Sequence, residues 1–366
     1  MRRALTSFAG RAGVSLEGRG RIGGMKLLVL GGTWFLGRAV VAGALARGWE
    51  VTTFTRGWSG APVPGAAVVH GDRTDGADVA RLAGLGPWDA VIDTSASELA
   101  PRTVLMGATA LAPVAGRYVF VSTVNVYRGW PDEALSLESE VLDGPPEADE
   151  EYGRLPADWT GPDWYYGRQK AGAERAAVAA FGAGRVSLLR PGVILGRGEY
   201  VGRLPWWLRR AERGGEILAP GDPAKSIQPV DVRDVAAFAL DQSVVSGGQV
   251  HNLAAPIGRE TMGGFLTACL EATASTGRLT WVPDEVLVRS GLRQWSEIPL
   301  WRTHAGVWNI DSTSAFDAGF RSRPLRETVA DTWAWLSEGN SPVPHPRWAE
   351  HGIAAEKERS ILAGIS

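Results

Sequence analysis

Short apolar runs alternate with stretches of helical periodicity along most of the chain. Apolar residues at a spacing of three and four, such as Leu36, Val40, Val41 and Ala44, predict helices between the runs. The runs themselves are short and predict strands at Lys26–Leu30, Glu50–Thr55, Ala66–His70, Trp88–Asp93, Arg117–Ser122, Arg185–Arg190 and Gln249–Leu253. This alternation predicts an α/β fold built on a doubly wound parallel sheet.

The later helices follow from the same periodicity, and a short strand is expected at Glu216–Leu218. They are predicted at Asp78–Leu85, Pro101–Leu111, Asp163–Phe181, Leu204–Arg213, Val232–Asp241, Met262–Ala272 and, as the last one, Leu325–Leu336. Val124–Thr160 breaks the rhythm and predicts a long loop that covers a substrate. Its carboxylates lack the spacing of metal ligands, so we favour a solvated loop and predict no metal site.

A glycine-rich turn, GGTWFLG, joins the first strand to the first helix. Gly31 and Gly37 fit the first and third glycines of a dinucleotide-binding turn, while Trp34 stands at the second. A helix N-terminus after such a turn offers free N–H groups and a positive dipole end to a pyrophosphate. We expect the Trp34 indole to turn away from that group. The alternative is a tight turn that binds no nucleotide.

These elements predict a Rossmann-type domain over residues 25–190, to which residues 226–255 return. Residues 191–225 and 256–340 are predicted to form a smaller C-terminal substrate lobe, and residues 341–366 a tail. Residues 1–24 are rich in Arg and Gly and lack the apolar stretch of a secretory signal. We therefore expect a disordered extension there.

Composition narrows the partners of the chain. The net charge of the 366 residues is −2, so there is no electrostatic case for nucleic acid. A single cysteine, Cys269, excludes an internal disulfide and fits a reducing compartment, which favours the cytoplasm. No apolar run is long enough for a membrane span.

The strongest catalytic signal is Tyr166-Gly167-Arg168-Gln169-Lys170. A spacing of four places Tyr166 and Lys170 on one face of a helix. An ammonium near the phenol stabilises phenolate and lowers the tyrosine pKa, which suits an acid or base at a carbinol or ketone. The alternative is an ordinary exposed Tyr/Lys pair, a common arrangement.

Together these residues resemble the short-chain dehydrogenase/reductase superfamily, in its extended NAD(P)-dependent epimerase/dehydratase branch. The resemblance covers about residues 25–337. Its turn is most similar to the atypical GGxxxxG subgroup, which includes isoflavone-reductase-like proteins. The motifs that carry it are GGTWFLG (31–37), GD (71–72), VFVSTVNVY (119–127), YGRQKAGAE (166–174), LRPGVILG (189–196), PVDVRDVA (229–236) and HNL (251–253).

The resemblance implies roles for individual residues. Thr123, four residues before Tyr127, would hydrogen-bond the substrate oxygen, with Ser122 as second choice. Tyr166 would be the acid/base, and Lys170 would hold the nicotinamide ribose and lower the tyrosine pKa. The implied cofactor-binding residues are Gly31, Thr33, Trp34, Phe35, Leu36, Gly37, Arg56, Asp72, Lys170 and Pro191. Asp72 would meet the adenine, with a turn cap as the alternative reading.

Two departures from the branch narrow the expected function. Its sugar dehydratases carry an Asp-Glu pair after the threonine, where this chain has Val124 and Asn125, so dehydration is disfavoured. The second strand ends in Thr55-Arg56-Gly57 without the carboxylate that binds an NAD ribose. A cation there suits the 2′-phosphate of NADP, although a plain surface arginine is the alternative.

The sequence therefore predicts a cytoplasmic NADP(H)-dependent oxidoreductase, with NAD as the other cofactor, that acts on a small carbonyl or carbinol substrate. The alternatives are an epimerase acting on a nucleotide-sugar-like substrate, and a dinucleotide-binding regulator or RNA-binding protein without turnover. A homodimer is left open. Trp206, Trp207 and the segment Trp295–Trp308 suggest a flat apolar substrate wall, but core packing is the favoured use of most tryptophans.

Overall fold

The computed structural model of the chain describes residues 24–158, 164–343 and 351–364. The predicted N-terminal extension, apart from Gly24, lies outside the described residues. The strands are β1 (Lys26–Leu30), β2 (Glu50–Thr55), β3 (Ala67–His70), β4 (Trp88–Asp93), β5 (Ala115–Val121), β6 (Val186–Pro191), β7 (Ile194–Leu195), β8 (Glu216–Pro220), β9 (Ser226–Ile227), β10 (Val230–Asp231), β11 (Gln249–Leu253), β12 (Glu260–Thr261) and β13 (Arg278–Val282). The helices are α1 (Phe35–Ala46), α2 (Gly76–Ala83), α3 (Pro101–Leu111), α4 (Tyr165–Phe181), α5 (Arg203–Glu212), α6 (Val232–Gln242), α7 (Met262–Ala272), α8 (Asp284–Arg289), α9 (Thr313–Asp317), α10 (Leu325–Ser337) and α11 (Ala355–Ala363).

Seven of the strands form one parallel sheet in the order β11-β6-β5-β4-β1-β2-β3. Strand β1 pairs with β2 on one side and β4 on the other, so the winding direction reverses there. In doubly wound sheets ligands bind in the crevice outside the carboxyl ends of the strands at this reversal. The predicted Rossmann-type fold is confirmed, and it places the ends of β1, β2, β4 and β5 at one edge.

Both faces of the sheet are buried around β1, which explains why this strand is apolar on both sides. Leu27 and Val29 of β1 pack into the layer that contains α1 and α6. Leu28 and Leu30 point the other way, into the layer that contains α3 and α4. A parallel sheet covered on both sides has no solvated face, so the short apolar runs of the sequence are those of buried strands.

The C-terminal lobe has its own core, and several of its elements differ from the prediction. The strand predicted at Glu216–Leu218 extends to Pro220 as β8 and pairs in parallel with β13, which periodicity did not reveal. Helices α8 and α9 are likewise additional. Trp207 and Trp301 are buried in this core, which is the packing role favoured for most tryptophans.

The sequence predicted α10 as the last helix of the chain, but a further helix, α11, follows it. Helix α11 lies within the predicted tail and packs on the lobe through Leu362. The buried carboxylate of Glu358 accepts hydrogen bonds from Arg210 Nε at 2.9 Å and from the backbone N–H of Leu218 at 3.1 Å. These partners are remote in sequence, and the nine-residue helix carries only a weak apolar stripe of its own.

The predicted loop is irregular as far as the structure describes it, apart from a 3₁₀ turn at Val124–Val126. It packs on α3 and α4, and the backbone N–H of Arg102 in α3 donates to the carbonyl oxygen of Ala148 at 3.0 Å. Arg175 of α4 donates to the carbonyl oxygens of Leu142 and Gly144 at 2.8 and 3.0 Å. Gln169 donates to the carbonyl of Tyr152 at 2.7 Å. Helix α4 begins at Tyr165, and the predicted start at Asp163 lies outside the described residues.

Across the residues that the structure describes, no helix is long and apolar enough to cross a membrane. The same residues contain no cluster of three or more His, Cys, Asp or Glu side chains arranged to hold a metal ion.

Candidate active site at the carboxyl edge of the sheet

The glycine turn between β1 and α1 has a backbone that only glycine adopts easily. Gly31 and Gly32 have φ of 103° and 104°, which strain any residue with a Cβ. At Gly37 a Cβ would lie 2.7 Å from the backbone nitrogen of Gly32 and 2.7 Å from Thr94 Oγ1. The turn is therefore tight, and α1 approaches the strand closely, as a dinucleotide-binding turn requires.

The start of α1 fits a pyrophosphate. Trp34 precedes the helix with an extended backbone and gives no side-chain capping bond, and the first turn contains no acidic residue. The first N–H groups of a helix have no partner within the helix, and together with the positive end of the helix dipole they suit a pyrophosphate. The Trp34 ring packs on Tyr200, with centroids 4.2 Å apart, and Phe35 meets Tyr200 edge-on at 5.9 Å. That the indole stays clear of a bound pyrophosphate remains a prediction.

Asp72, just after β3, caps a turn, which is the alternative role considered for it in the sequence. Its carboxylate accepts from the backbone N–H of Thr74 at 2.9 Å and from Thr74 Oγ1 at 2.8 Å. These two bonds, with a smaller contribution from the charge of Arg56, lower the pKa of Asp72. The Arg56 guanidinium is exposed and lies over the Trp58 ring, 4.5 Å from its centroid.

Lys170 is buried where α4 crosses the end of β5. Its Nζ donates to the carbonyl oxygen of Val121 at 2.7 Å and lies 4.8 Å from the centre of the Phe120 ring. Burial lowers the pKa of the Lys170 ammonium to about 8, against the opposing influence of Asp93 and Glu174. The amine is therefore held in a fixed position rather than free in solvent.

Tyr166 lies one helical turn before Lys170, and its side chain is 39% exposed. The next residue, Gly167, brings the helix onto the Val124–Val126 turn, because a Cβ there would clash with the carbonyl oxygen of Asn125. Thr123 caps that turn: its hydroxyl accepts from the backbone N–H of Asn125 at 3.2 Å and donates to Asn125 Oδ1 at 2.9 Å. The predicted Thr123, Tyr166 and Lys170 are thus brought to one edge of the sheet.

Ser122, the second choice for the catalytic hydroxyl, is in a different environment. Its side chain is buried, and its Oγ makes no hydrogen bond within the described chain. Pro191, the predicted cofactor-binding residue after the sixth strand, is the last residue of β6 and is buried opposite Leu253 of β11.

The sequence analysis did not single out a buried ion pair that lies at this edge of the sheet. Arg73 donates both guanidinium arms to Asp93 at 2.7 Å, and Tyr118 donates its hydroxyl to the same carboxylate at 2.7 Å. The pair holds the pKa of Asp93 below its usual value despite burial. It joins the loop after β3 to the end of β4. In the sequence, the carboxylate of Asp93 at the end of the apolar run of β4 was the signal that could have revealed this pair.

A second overlooked group lies between the two lobes. The Arg302 guanidinium is 4.8 Å from the Trp130 ring centroid and 4.6 Å from that of Trp295. Among the described residues the guanidinium has no ion pair and no hydrogen-bonding side-chain partner. Burial and the nearby charge of Arg203 lower its pKa to about 10, against the opposing charge of Asp132. We call this group, Arg302 with Trp130 and Trp295, the cationic recess. Trp130 also packs against the cluster that contains Val126 and Tyr127, which connects the recess to the Thr123 turn.

Solved structures with the same fold cover most of this chain. WbmH of Bordetella bronchiseptica, solved with NAD+, is 19% identical with a TM-score of 0.62, over 86% of this chain and 99% of its own. UDP-glucose 4-epimerase of Thermotoga maritima, solved with UDP-glucose, is 19% identical with a TM-score of 0.60 over the same shares of the two chains. UDP-N-acetylglucosamine 4-epimerase of Bacillus cereus is 16% identical with a TM-score of 0.61, over 85% of this chain and 99% of its own.

Among curated proteins the comparison finds no match to this sequence. The model of the NAD dependent epimerase/dehydratase family matches residues 27–242, which span the glycine turn, the Thr123 turn, Tyr166 and Lys170. Since this match covers more than half of the sequence, the chain belongs to the NAD dependent epimerase/dehydratase family.

Proposed function

We propose that the chain is an NADP(H)-dependent oxidoreductase that interconverts a carbonyl and a carbinol, with Tyr166 as the acid/base. One observation carries this proposal. Helix α4 holds Lys170 buried against Val121 and exposes Tyr166 one turn earlier, beside the Thr123 turn. All three groups lie at the carboxyl edge of the sheet, where the turn before α1 leaves its N–H groups without a side-chain cap.

The cofactor supplies the hydride acceptor or donor when it is bound, and the protein supplies the proton transfer. On oxidation the carbinol oxygen would lose its proton to Tyr166, and on reduction Tyr166 would return it. The Thr123 hydroxyl would donate to the same oxygen. A hydroxyl proton rotates, so Thr123 can turn it from Asn125 Oδ1 to the substrate while it still accepts from the Asn125 N–H.

A preference for NADP over NAD is supported by the end of β2. Arg56 has no ion pair or hydrogen bond within the described chain, and no carboxylate follows β2 to bind a 2′-hydroxyl. A free guanidinium suits a 2′-phosphate through bidentate hydrogen bonds. Four of the similar structures, all below 20% identity, were solved with NAD, which makes cofactor choice the property to measure first.

Titration of the full chain with NADPH and NADH tests the cofactor part of the proposal. We expect both to quench protein fluorescence, with NADPH binding more tightly. Binding of neither cofactor would overturn the proposed function. Equal affinities, or tighter NADH, would overturn the preference for NADP and leave the oxidoreductase in place.

A second candidate, an epimerase acting on a nucleotide-sugar-like substrate, is favoured by the cationic recess. An anion at Arg302 would neutralise a guanidinium that burial destabilises, and the flanking Trp130 and Trp295 offer faces to a flat ring. A nucleoside diphosphate combines those two chemistries. In an epimerase the hydride returns to the other face of the same carbon, so no net redox change accompanies turnover.

The two candidates are separated by following product and cofactor together. With UDP-glucose and NAD or NADP, an epimerase gives a sugar inverted at one carbon, detected by NMR, without net change in nicotinamide absorbance. In either case Arg302→Gln should raise KM for an anionic substrate more than it lowers kcat. The matched control is Arg209→Gln, because Arg209 also lies over a tryptophan, at 5.3 Å from Trp333, but on the surface and paired with Glu212.

A further inference from the structure

Trp58 is unusually exposed for an indole. The residue is 76% exposed, the highest value among the exposed large hydrophobic residues that the structure describes. A scattered exposed leucine or valine needs no explanation, whereas a tryptophan left in water forgoes a large gain from burial. The position of Trp58 in the fold provides a reason for this exposure.

Trp58 lies on the loop that runs from the end of β2 toward the glycine turn. Gly57 packs on the His70 ring, since a Cβ there would be 3.1 Å from the imidazole. A Cβ at Gly60 would be 3.5 Å from the carbonyl oxygen of Thr33 in the glycine turn. Arg38 of α1 donates to the carbonyl oxygen of Ala61 at 2.8 Å. The loop is therefore anchored beside the sheet edge that receives the adenosine half of a dinucleotide in this fold.

The Arg56–Trp58 pair differs from a second arginine–tryptophan pair at the opposite end of β2. There the Arg47 guanidinium lies 5.4 Å from the Trp49 ring centroid, and it also pairs with Asp241 at 2.8 Å and donates to the carbonyl of Ala237 at 3.2 Å. Arg56 makes no hydrogen bond or ion pair among the described residues; it contacts the indole face and interacts more weakly with the charge of Asp72. One pair is thus satisfied within the protein, while the other leaves a cation and a flat aromatic face available.

We propose that Trp58 is a cofactor-binding residue whose indole stacks on the adenine ring, while Arg56 turns from the indole to the 2′-phosphate. This inference rests on the proposed function, since it requires a bound dinucleotide. Every base presents a flat π-face, so stacking on an aromatic side chain does not depend on the 2′-substituent. Trp58 would therefore add affinity for NADPH and NADH alike, whereas Arg56 would discriminate between them.

The test measures binding by calorimetry and needs no substrate. The full chain and its variants are titrated with NADPH, NADH and 2′,5′-ADP, which carries adenine and both phosphates without nicotinamide. Trp58→Ala should weaken all three ligands by on the order of tenfold, and Trp58→Phe should keep most of the affinity because a ring remains. Arg56→Ala should weaken NADPH and 2′,5′-ADP and spare NADH. Trp49→Ala, with its folding checked by circular dichroism, should bind all three like the wild type.

The outcomes distinguish failure of the stacking role of Trp58 from failure of the proposed function. Wild-type affinity of Trp58→Ala for all three ligands would overturn the stacking role, while binding by the wild type would leave the proposed function standing. Loss of NADPH alone in Trp58→Ala would also overturn it, because stacking is blind to the 2′-phosphate. If the wild type binds none of the ligands, the proposed function fails and the inference fails with it.

Discussion

Lys170 Nζ donates a hydrogen bond to the carbonyl oxygen of Val121 at 2.7 Å, which ties helix α4 to the end of β5. The bond fixes an amine whose pKa burial lowers to about 8, so that it loses its proton more readily than a lysine in water. The bond also fixes the helical turn before it, where Tyr166 is exposed. We therefore expect substitution of Lys170 to affect both the stability and the chemistry of this edge.

The identity of the acid/base can be tested with two adjacent tyrosines. Tyr166→Phe removes one oxygen and little packing, so cofactor binding should survive while kcat falls on the order of a hundredfold or more. Tyr165→Phe is the control, because the Tyr165 hydroxyl already donates to the carbonyl oxygen of Glu150 at 2.8 Å. Turnover of any substrate found in a screen of ketones and keto-sugars provides the measurement. A full-rate Tyr166→Phe enzyme would end the proposed mechanism.

Lys170→Met should change how stability depends on pH. The lysine pKa is about 8 in the folded protein, against about 10.4 for a lysine in water. Between these values the unfolded chain binds more protons, so Lys170 makes the free energy of unfolding rise with pH across this window. Below pH 8 the cost of charging the buried amine is fully present.

Loss of the titrating amine should therefore raise the free energy of unfolding of the variant relative to the wild type at pH 7. This gain should shrink toward pH 10. The lost bond to Val121 adds an offset that does not depend on pH. Urea unfolding of both proteins at pH 7, 8.5 and 10 gives the comparison. Parallel stability profiles would show that Lys170 does not titrate as expected, and cofactor affinity should fall in the variant at every pH.

The two neighbouring hydroxyls should respond differently to removal. Thr123→Val deletes the cap of the Val124–Val126 turn and the donor proposed for the substrate oxygen, so we expect kcat to fall on the order of a hundredfold to a thousandfold. Ser122→Ala deletes a buried hydroxyl without a partner in the described chain, so stability should hold or rise. The reverse pattern in steady-state kinetics would assign the catalytic hydroxyl to Ser122.

The C-terminal helix should contribute measurably to stability. Glu358→Gln removes the charge that Arg210 faces in the core, at 2.9 Å, and breaking a buried pair costs roughly 3–5 kcal/mol. Glu356→Gln on the exposed side of the same helix is the control and should leave the melting temperature unchanged. Equal melting temperatures for the two variants, by calorimetry, would show that α11 is not part of the cooperative unit.

Family membership confirms the kinship predicted from the motifs and the prediction of a nicotinamide-dependent enzyme of the epimerase/dehydratase type. The cofactor preference, the substrate and the roles of Thr123, Tyr166 and Lys170 stay predictions. Asp72 shows that one local sequence can fit two different roles equally well. The same Gly-Asp dipeptide suits an adenine contact or a turn cap, and only its two bonds to Thr74 favour the cap.

The sequence by itself determined the features that depend on neighbours along the chain. Strand and helix periodicity, the glycines of the 31–37 turn and the spacing of Tyr166 and Lys170 are local, so they can be read without coordinates. The tertiary structure alone decided the burial of Lys170, the position of Arg302 between Trp130 and Trp295, and the docking of α11. Each depends on contacts between segments far apart in sequence, as between Arg210 and Glu358, and burial and charge pairing arise only when those segments pack together.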